Sequence, residues 1–326
     1  MKRAVTVHKH GSEDLKQSVL DGKVSVNAAA KRVVEQKKKA NETAATNAPA
    51  PEPKPLAGTV PVITVDGRTK QVPNPKETKF NKTNGNVEWA SWTWNPITGC
   101  NHGCSFCYAR AITHNGQMAA NYPFGFEPAF YEYRLNAPKN TKVPLSDSPA
   151  DGRVFVGSMA DVFGKWVPDE WIQKIFDACM DNPEWEYLFL TKWPNRYKML
   201  ESLPKAWFGA SVIQQADVAR VEREMKSFTT TGVKWISLEP MLEPITFSDL
   251  SWCDLVVIGA QTATSQPDGY VPEKAADFEW VWHLVRQCKE AEVPYYLKPN
   301  LLQSPGMILP KGVPVPRVLP RKPKQG

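Results

Sequence analysis

Three of the six cysteines in this 326-residue chain lie within eight residues, in the segment G-C-N-H-G-C-S-F-C-Y-A-R. Cys100, Cys104 and Cys107 form a C-x3-C-x2-C pattern. Iron–sulfur clusters take Cys thiolates as ligands, so three thiolates on one short loop can hold three irons of a [4Fe-4S] cluster. The fourth iron then has no protein ligand and can bind a small molecule. The spacing therefore predicts a cluster site with one open position.

A structural zinc site is the main alternative, with His102 or His114 as a fourth ligand. Zinc sites usually pair one C-x2-4-C motif with a second, distant pair of ligands, and the sequence has no such pair. Cys179, Cys253 and Cys288 are isolated in apolar surroundings, where a free Cys behaves as a small buried hydrophobe. Disulfides are less favoured still, because no secretory signal opens the chain. We favour the cluster over zinc.

Composition and charge are those of a soluble, cytoplasmic enzyme with one main domain. Hydrophobic residues make up 42% of the chain, which is enough for a large core, and we find no apolar stretch that could span a bilayer. The net charge of +6 comes from the two ends. Residues 1–60 carry eleven Lys and Arg against six acidic residues, and residues 311–326 carry five basic residues and no acidic one. Basic ends are typical of a nucleic-acid partner, and equally of solvated tails.

The sequence divides into four segments. Residues 1–40 form a short basic helical segment, in which Gly22 separates two helices and Ser25 can cap the second. Residues 41–85 are rich in Ala, Pro, Asn and Thr, which predicts a largely disordered linker. Residues 86–303 form the main domain, and residues 304–326 form a basic, Pro-rich tail.

Short apolar runs alternate with helical stretches throughout the main domain. This alternation predicts repeated βα units, and hence an α/β fold with a parallel sheet. The predicted strands are 92–97, 154–157, 187–191, 208–212, 234–238 and 255–259, and the predicted helices are 169–180, 195–203, 216–226 and 273–290. In barrels built from such units, the chemistry occurs where the carboxyl ends of the strands converge. Polar residues at those ends are therefore the candidates for function.

The cysteine spacing, with Phe106 before the last Cys, resembles the signature of the radical S-adenosylmethionine (SAM) superfamily. Over residues 86–303, W-N-P-x-T-G-C, S-M-A-D, L-T-K-x-P-x-R, S-L-E-P-M-L-E-P-I and V-I-G-A-Q also resemble a phage- and prophage-associated radical SAM-like family. The resemblance implies a partial (β/α)6 TIM-like barrel, a [4Fe-4S] cluster, SAM on the open iron and an external electron donor. It also implies a virus-encoded protein in the host bacterial cytoplasm.

Five side chains are predicted to contact the cofactors. Phe106 belongs to the cysteine signature, and Ser158 and Asp161 follow the second strand, where superfamily members hold the SAM amino group. Ser211, after the fourth strand, is a plausible ribose contact. Gln261 follows the sixth strand and is expected at the same edge, where the carboxyl ends of the strands converge. The family often has Gly-Gly-Glu where this chain has Gly-Ala-Gln, so its substrate can differ.

Lys192 and Glu239 are the predicted catalytic residues. Lys192 ends the third strand, where an ammonium can meet a carboxylate or phosphate, although it could also solvate a loop. Glu239 ends a buried strand, and a carboxylate there is costly unless it contacts a ligand or a basic side chain.

Radical chemistry is needed where a C–H bond is too strong for acid or base. The phage resemblance therefore favours modification of a nucleobase in DNA or a nucleotide, such as isomerisation of an amino acid adduct on thymidine during hypermodification that evades restriction. One alternative is a repair-type lyase for damaged thymines, with Cys253 as hydrogen donor. Another is a non-catalytic iron–sulfur regulator that binds DNA through its N-terminal helices.

Overall fold

The computed structural model describes residues 12–47, 57–83, 89–199, 203 and 205–303. The chain divides into two units, residues 1–54 and 55–326. The predicted tail, 304–326, lies outside the described residues, as does the basic segment 1–11. No helix in the described ranges is both long enough and apolar enough to cross a bilayer.

Within the described residues of the first unit, 12–47, lie two helices, α1 (Glu13–Leu20) and α2 (Val26–Asn47). Gly22, at φ +72°, lies in the turn between them, a conformation that favours glycine. The Ser25 hydroxyl accepts a hydrogen bond of 3.3 Å from the Ala28 amide at the start of α2. Ala29 and Ala30 are buried against apolar side chains of α1 and the turn. Helix α2 continues beyond residue 40, where the linker was expected to begin.

The second unit is a mixed α/β structure. Its strands are β1 (Thr59–Thr64), β2 (Thr69–Pro73), β3 (Asn81–Lys82), β4 (Trp92–Trp94), β5 (Ile97–Thr98), β6 (Ala129–Phe130), β7 (Arg153–Val156), β8 (Glu186–Thr191), β9 (Ala206–Ser211), β10 (Val233–Leu238), β11 (Leu255–Ile258), β12 (Thr264–Gln266), β13 (Gly269–Val271) and β14 (Tyr295–Leu297). Its helices are α3 (Tyr108–His114), α4 (Ala137–Asn140), α5 (Asp169–Met180), α6 (Gln215–Ser227), α7 (Phe278–Glu290) and α8 (Pro299–Leu302).

The prediction of a disordered linker over 41–85 is wrong for residues 59–82. Strands β1 and β2 form an antiparallel hairpin, β1 also pairs with β6, and β3 pairs with β4. Asp66 and Gly67 lie in the hairpin turn, with Gly67 at φ +83°. An Asp-Gly turn between alternating apolar residues is a hairpin signal, and the polar composition of the segment obscured it.

The main sheet has the strand order β14-β11-β10-β9-β8-β7-β4-β3. All pairs from β4 to β14 are parallel, and β3 is antiparallel to β4. The predicted α/β class and mostly parallel sheet are confirmed. The predicted strand 92–97 is divided into β4 and β5, because Pro96 has no amide hydrogen to continue a ladder. The predicted helix 195–203 is a 3-10 helix over Pro194–Met199.

The two faces of the sheet differ in what they bury. One face packs against helices α5, α6 and α7 in the larger apolar core. The other carries a smaller apolar cluster that includes Leu188, Trp207 and Trp235. A Cβ on Gly209 would lie 2.3 Å from Cε2 of Trp235, so the glycine leaves room for this indole. Because side chains alternate along a strand, Ser211 and Ser237 lie on this second face nearer the carboxyl ends. The second face is therefore apolar along its strands and polar at their carboxyl ends.

Candidate functional site

The cysteine loop begins directly after β5 and is fixed to the carboxyl end of β7. The Gly99 amide donates to the Met159 carbonyl over 2.9 Å, and the Cys100 amide donates to the Phe126 carbonyl over 3.2 Å. Gly99 has φ +88°, and a Cβ there would lie 2.2 Å from the Glu127 carbonyl oxygen. Only glycine fits this close approach. These contacts keep the three cysteines at the edge of the sheet where the parallel strands end.

The three thiols of the loop are free and half-buried. Burial raises the pKa of Cys100 to about 12, and it raises the pKa of Cys107 as well. The neighbouring thiols contribute to these shifts, Cys107 to the raised pKa of Cys100 and Cys104 to the raised pKa of Cys107. Cysteine must be deprotonated to bind metal, and burial disfavours the charged thiolate. The positive charge of an iron bound at this loop would offset that cost.

Within the described residues, no three His, Cys, Asp or Glu side chains are arranged to hold one metal ion. A [4Fe-4S] cluster makes a different demand, because each thiolate binds its own iron. Three half-buried thiols on one loop are the donor set that such a cluster takes. The residues present fit the cluster.

Asp161 connects this loop to the strand ends. Its Oδ2 lies 2.7 Å from Nε2 of His102, which is in the cysteine loop, and accepts from the Lys192 amide over 3.0 Å. Its Oδ1 accepts from the Thr191 hydroxyl over 2.7 Å and from the Phe163 amide over 3.0 Å. The side chains of Asp161 and His102 are 8% and 11% exposed. Both carboxylate oxygens are thus engaged by the protein, which makes Asp161 a structural anchor, and its contact with SAM stays a prediction.

Ser158 belongs to a second polar cluster, at the ends of β4 and β7. Its hydroxyl lies 2.6 Å from Oγ1 of Thr93 and 3.1 Å from Nδ2 of Asn95. Asn95 is buried, and its Oδ1 accepts from the Met159 amide over 2.9 Å. The Ser158 carbonyl accepts from the Tyr108 hydroxyl over 2.5 Å, directly beyond the last cysteine. Asn95, in the W-N-P motif, was not among the predicted site residues.

Lys192 and Ser211 lie side by side, as neighbouring strands β8 and β9 require. The Lys192 ammonium is 3.4 Å from the Ser211 hydroxyl. No described carboxylate lies within 4.0 Å of this half-buried ammonium. Ser211 pairs in register with Ser237 on β10. A cation with only a neutral partner at the edge of the sheet can receive an anionic group.

Glu239 lies at the other side of the same edge and has a basic partner. Its Oε2 is 2.5 Å from the Lys298 ammonium, and its Oε1 is 3.4 Å from the Ser237 hydroxyl. The Lys298 ammonium also lies 5.1 Å from the Trp89 ring centroid. A Cβ on Gly259 would come within 3.1 Å of both Cγ of Glu239 and Cδ of Lys298. The glycine of the G-A-Q motif therefore leaves space for this ion pair.

A family model described as "Protein of unknown function (DUF5131)" matches residues 84–300. The chain belongs to the DUF5131 family. No curated protein matches it. A solved structure of a mutant of spore photoproduct lyase is similar to the DUF5131 chain with a TM-score of 0.42 and 12% sequence identity, over 68% of this chain and 79% of that chain.

Two further cofactor contacts, Gln261 after β11 and Phe106 in the cysteine loop, stay predictions. Gln261 donates from Nε2 to the Pro272 carbonyl over 2.7 Å, and its backbone pairs with Lys274. Its amide thus ties down the segment that follows β13. Phe106 is half-buried within the cysteine loop.

Cys253, the predicted hydrogen donor of a repair-type lyase, lies at the opposite edge of the sheet. It precedes β11, at the amino end of a parallel strand, and is 2% exposed. Its thiol is 3.1 Å from the Leu255 carbonyl, and burial raises its pKa. Its position does not favour the role of hydrogen donor. Cys179 and Cys288 are also buried, as predicted.

Proposed function

We propose that this DUF5131 chain is a radical SAM enzyme whose [4Fe-4S] cluster is held by Cys100, Cys104 and Cys107. The observation that carries the proposal is the position of three half-buried thiols at the carboxyl edge of a parallel sheet, beside polar strand ends. When bound there, the cluster and SAM would supply hydrogen abstraction from an unactivated C–H bond, with one electron taken from an external donor.

The proposal includes a partial (β/α)6 barrel. The ring centroid of Trp89, which precedes β4, lies 5.9 Å from that of Tyr296 on β14 and 6.2 Å from that of Trp235 on β10. Five strands lie between β4 and β14 in the sheet, so the sheet must curve to bring these rings together. This curvature supports a barrel-like mouth.

In this mouth, Lys192 and Ser211 would hold the anionic carboxylate of SAM. The ammonium offers charge-assisted donation and has no carboxylate partner among the described residues. Glu239, held by Lys298, is placed to accept a hydrogen bond or a proton from substrate at the same edge. Asp161 and Asn95 position the surrounding loops. The half-buried loop that carries the cysteines would exclude water from the site.

We extend the proposal to a nucleobase in phage DNA as substrate, with isomerisation of an amino acid adduct on thymidine as the specific reaction. Two observations support this extension. The motifs resemble a phage-associated radical SAM-like family, and the basic residues are concentrated at the two ends of the chain. A phosphate backbone would be attracted to those ends.

The test is SAM cleavage under anaerobic, reducing conditions, with 5′-deoxyadenosine quantified with and without DNA. We expect DNA-stimulated cleavage, and transfer of deuterium from DNA labelled in its thymidine derivatives into 5′-deoxyadenosine. The C100A/C104A/C107A triple variant is the control and should give none. A chain that holds a cluster, binds DNA and leaves SAM intact would instead be an iron–sulfur regulator.

A further inference from the structure

The hairpin of β12 and β13, which follows β11, packs against α3 at the end of the cysteine loop. Gln266, at the end of β12, is 7% exposed. Its Nε2 donates to the Cys107 carbonyl over 2.7 Å, and its Oε1 accepts from Nε of Arg110 over 2.9 Å. Arg110 also donates to Asp268, in the turn of the same hairpin, over 3.1 Å. One buried amide therefore joins the hairpin to the third cysteine.

The cysteine loop is fixed separately at each of its parts. The main chain at Cys100 is held by the Phe126 carbonyl, and the middle of the loop is held by Asp161 through His102. The main chain at Cys107 is held by Gln266. In the main sheet, β4 is the last strand before the cysteine loop and β11 is the last before the hairpin, and four other strands lie between them. Gln266 thus makes a contact across the mouth that sheet pairing does not provide.

The chemistry of the site calls for an amide at this position. A buried polar side chain is costly unless its groups are hydrogen-bonded, and Gln266 uses both ends of its amide at once. A carboxylate could still accept from Arg110 but could not donate to the Cys107 carbonyl. Glutamate at position 266 would therefore keep the hairpin attached to Arg110 and remove the contact with Cys107 alone.

We propose that Gln266 is a positioning residue for the third cluster cysteine, and that the hairpin fastens the cysteine loop across the mouth. The inference rests on the proposed function, because it assigns Cys107 to the cluster. Groups that orient metal ligands from outside typically change metal affinity by about 10- to 100-fold when they are replaced.

The first test needs no cluster. The full-length apo protein is treated with a thiol reagent, and mass spectrometry follows labelling at each cysteine. In Q266E we expect Cys107 to be labelled about 10-fold faster, with Cys100 unchanged. Y270A is the matched control, because Tyr270 lies on the same hairpin and is 66% exposed. Equal labelling of Cys107 in Q266E and wild type, with the same urea midpoint, overturns the positioning role.

The second test uses the reconstituted protein. We expect Q266E to lose its cluster absorbance in air about 10-fold faster than wild type, and Y270A to match wild type. Faster labelling of Cys107 with unchanged cluster loss would overturn the link to the cluster. A wild-type chain that takes up no iron and sulfide would refute the proposed function, and the labelling experiment would still show whether Gln266 holds Cys107.

Discussion

Replacement of Asp161 by Asn should destabilise the protein more than any exposed carboxylate replacement, because four donors share one buried carboxylate. These are His102 and the Lys192 amide on Oδ2, with the Thr191 hydroxyl and the Phe163 amide on Oδ1. An Asn side chain keeps one acceptor oxygen and presents an NH2 group on the other side.

Either orientation of the Asn amide leaves one backbone N–H without an acceptor. If NH2 replaces Oδ2, His102 can change tautomer and accept, but the Lys192 amide is opposed by a donor. If NH2 replaces Oδ1, the Thr191 hydroxyl can rotate and accept, but the Phe163 amide is opposed. One unsatisfied buried amide costs about 1–3 kcal/mol, and loss of the charge weakens the other three bonds. We expect D161N to lose about 3–5 kcal/mol in free energy of unfolding.

Urea unfolding of the apo protein under reducing conditions measures this loss. The matched control is D177N, because Asp177 is exposed on α5 and accepts a hydrogen bond from the exposed Gln173 side chain. Exposed substitutions of this kind usually change the free energy of unfolding by no more than about 0.5 kcal/mol, so D177N should change little. Our account of the Asp161 network is refuted if D161N is destabilised no more than D177N.

Three further predictions concern the strand ends and the core. K192M should raise the Michaelis constant for SAM about 10- to 100-fold, because a charged hydrogen bond is lost. K192R keeps the charge and should retain most of the affinity. A Michaelis constant for K192M equal to that of wild type would contradict the assigned role. G209A should lower the free energy of unfolding by about 1–3 kcal/mol, since the new methyl group collides with Trp235, and an unchanged urea midpoint would show that the indole can move. Hydrogen bonds from Ser251 and, to a smaller extent, from Lys226 lower the pKa of Asp249 to about 2. The stability that the charged Asp249 contributes is therefore present above about pH 4 and is lost as the pH falls through 2. D249N should therefore show a shallower loss of stability between pH 4 and 2, measured by thermal unfolding; curves that fall in parallel would argue against this contribution.

The parallel sheet could be predicted from the sequence because its buried strands are short apolar runs separated by helical stretches. β8 and β10 begin within one residue of the predicted positions. The strands at 59–82 were missed because their side chains are mixed polar and apolar, and because Pro61 interrupts the pattern. β1 is stabilised by its partners β2 and β6, and pairing with β6 is a long-range contact that no local pattern encodes.

In the candidate site, too, local features could be predicted and long-range contacts could not. The positions of the cysteine loop, Lys192 and Ser211 at strand ends could be predicted because spacing and strand ends are local features. Asp161 was correctly placed at a strand end, but its four donors come from three separate segments, so its anchoring role was not visible. Gln266 lies 159 residues from Cys107, and nothing in its own surroundings marks it. Such contacts depend on the tertiary structure alone.

The most direct test of the central claim is electron paramagnetic resonance of the anaerobically reconstituted, dithionite-reduced protein, with and without SAM. Our account predicts a [4Fe-4S]+ signal that shifts when SAM is added and is missing in the C100A/C104A/C107A triple variant. Stoichiometric zinc with no cluster signal, or a cluster signal that SAM leaves unchanged, would contradict it.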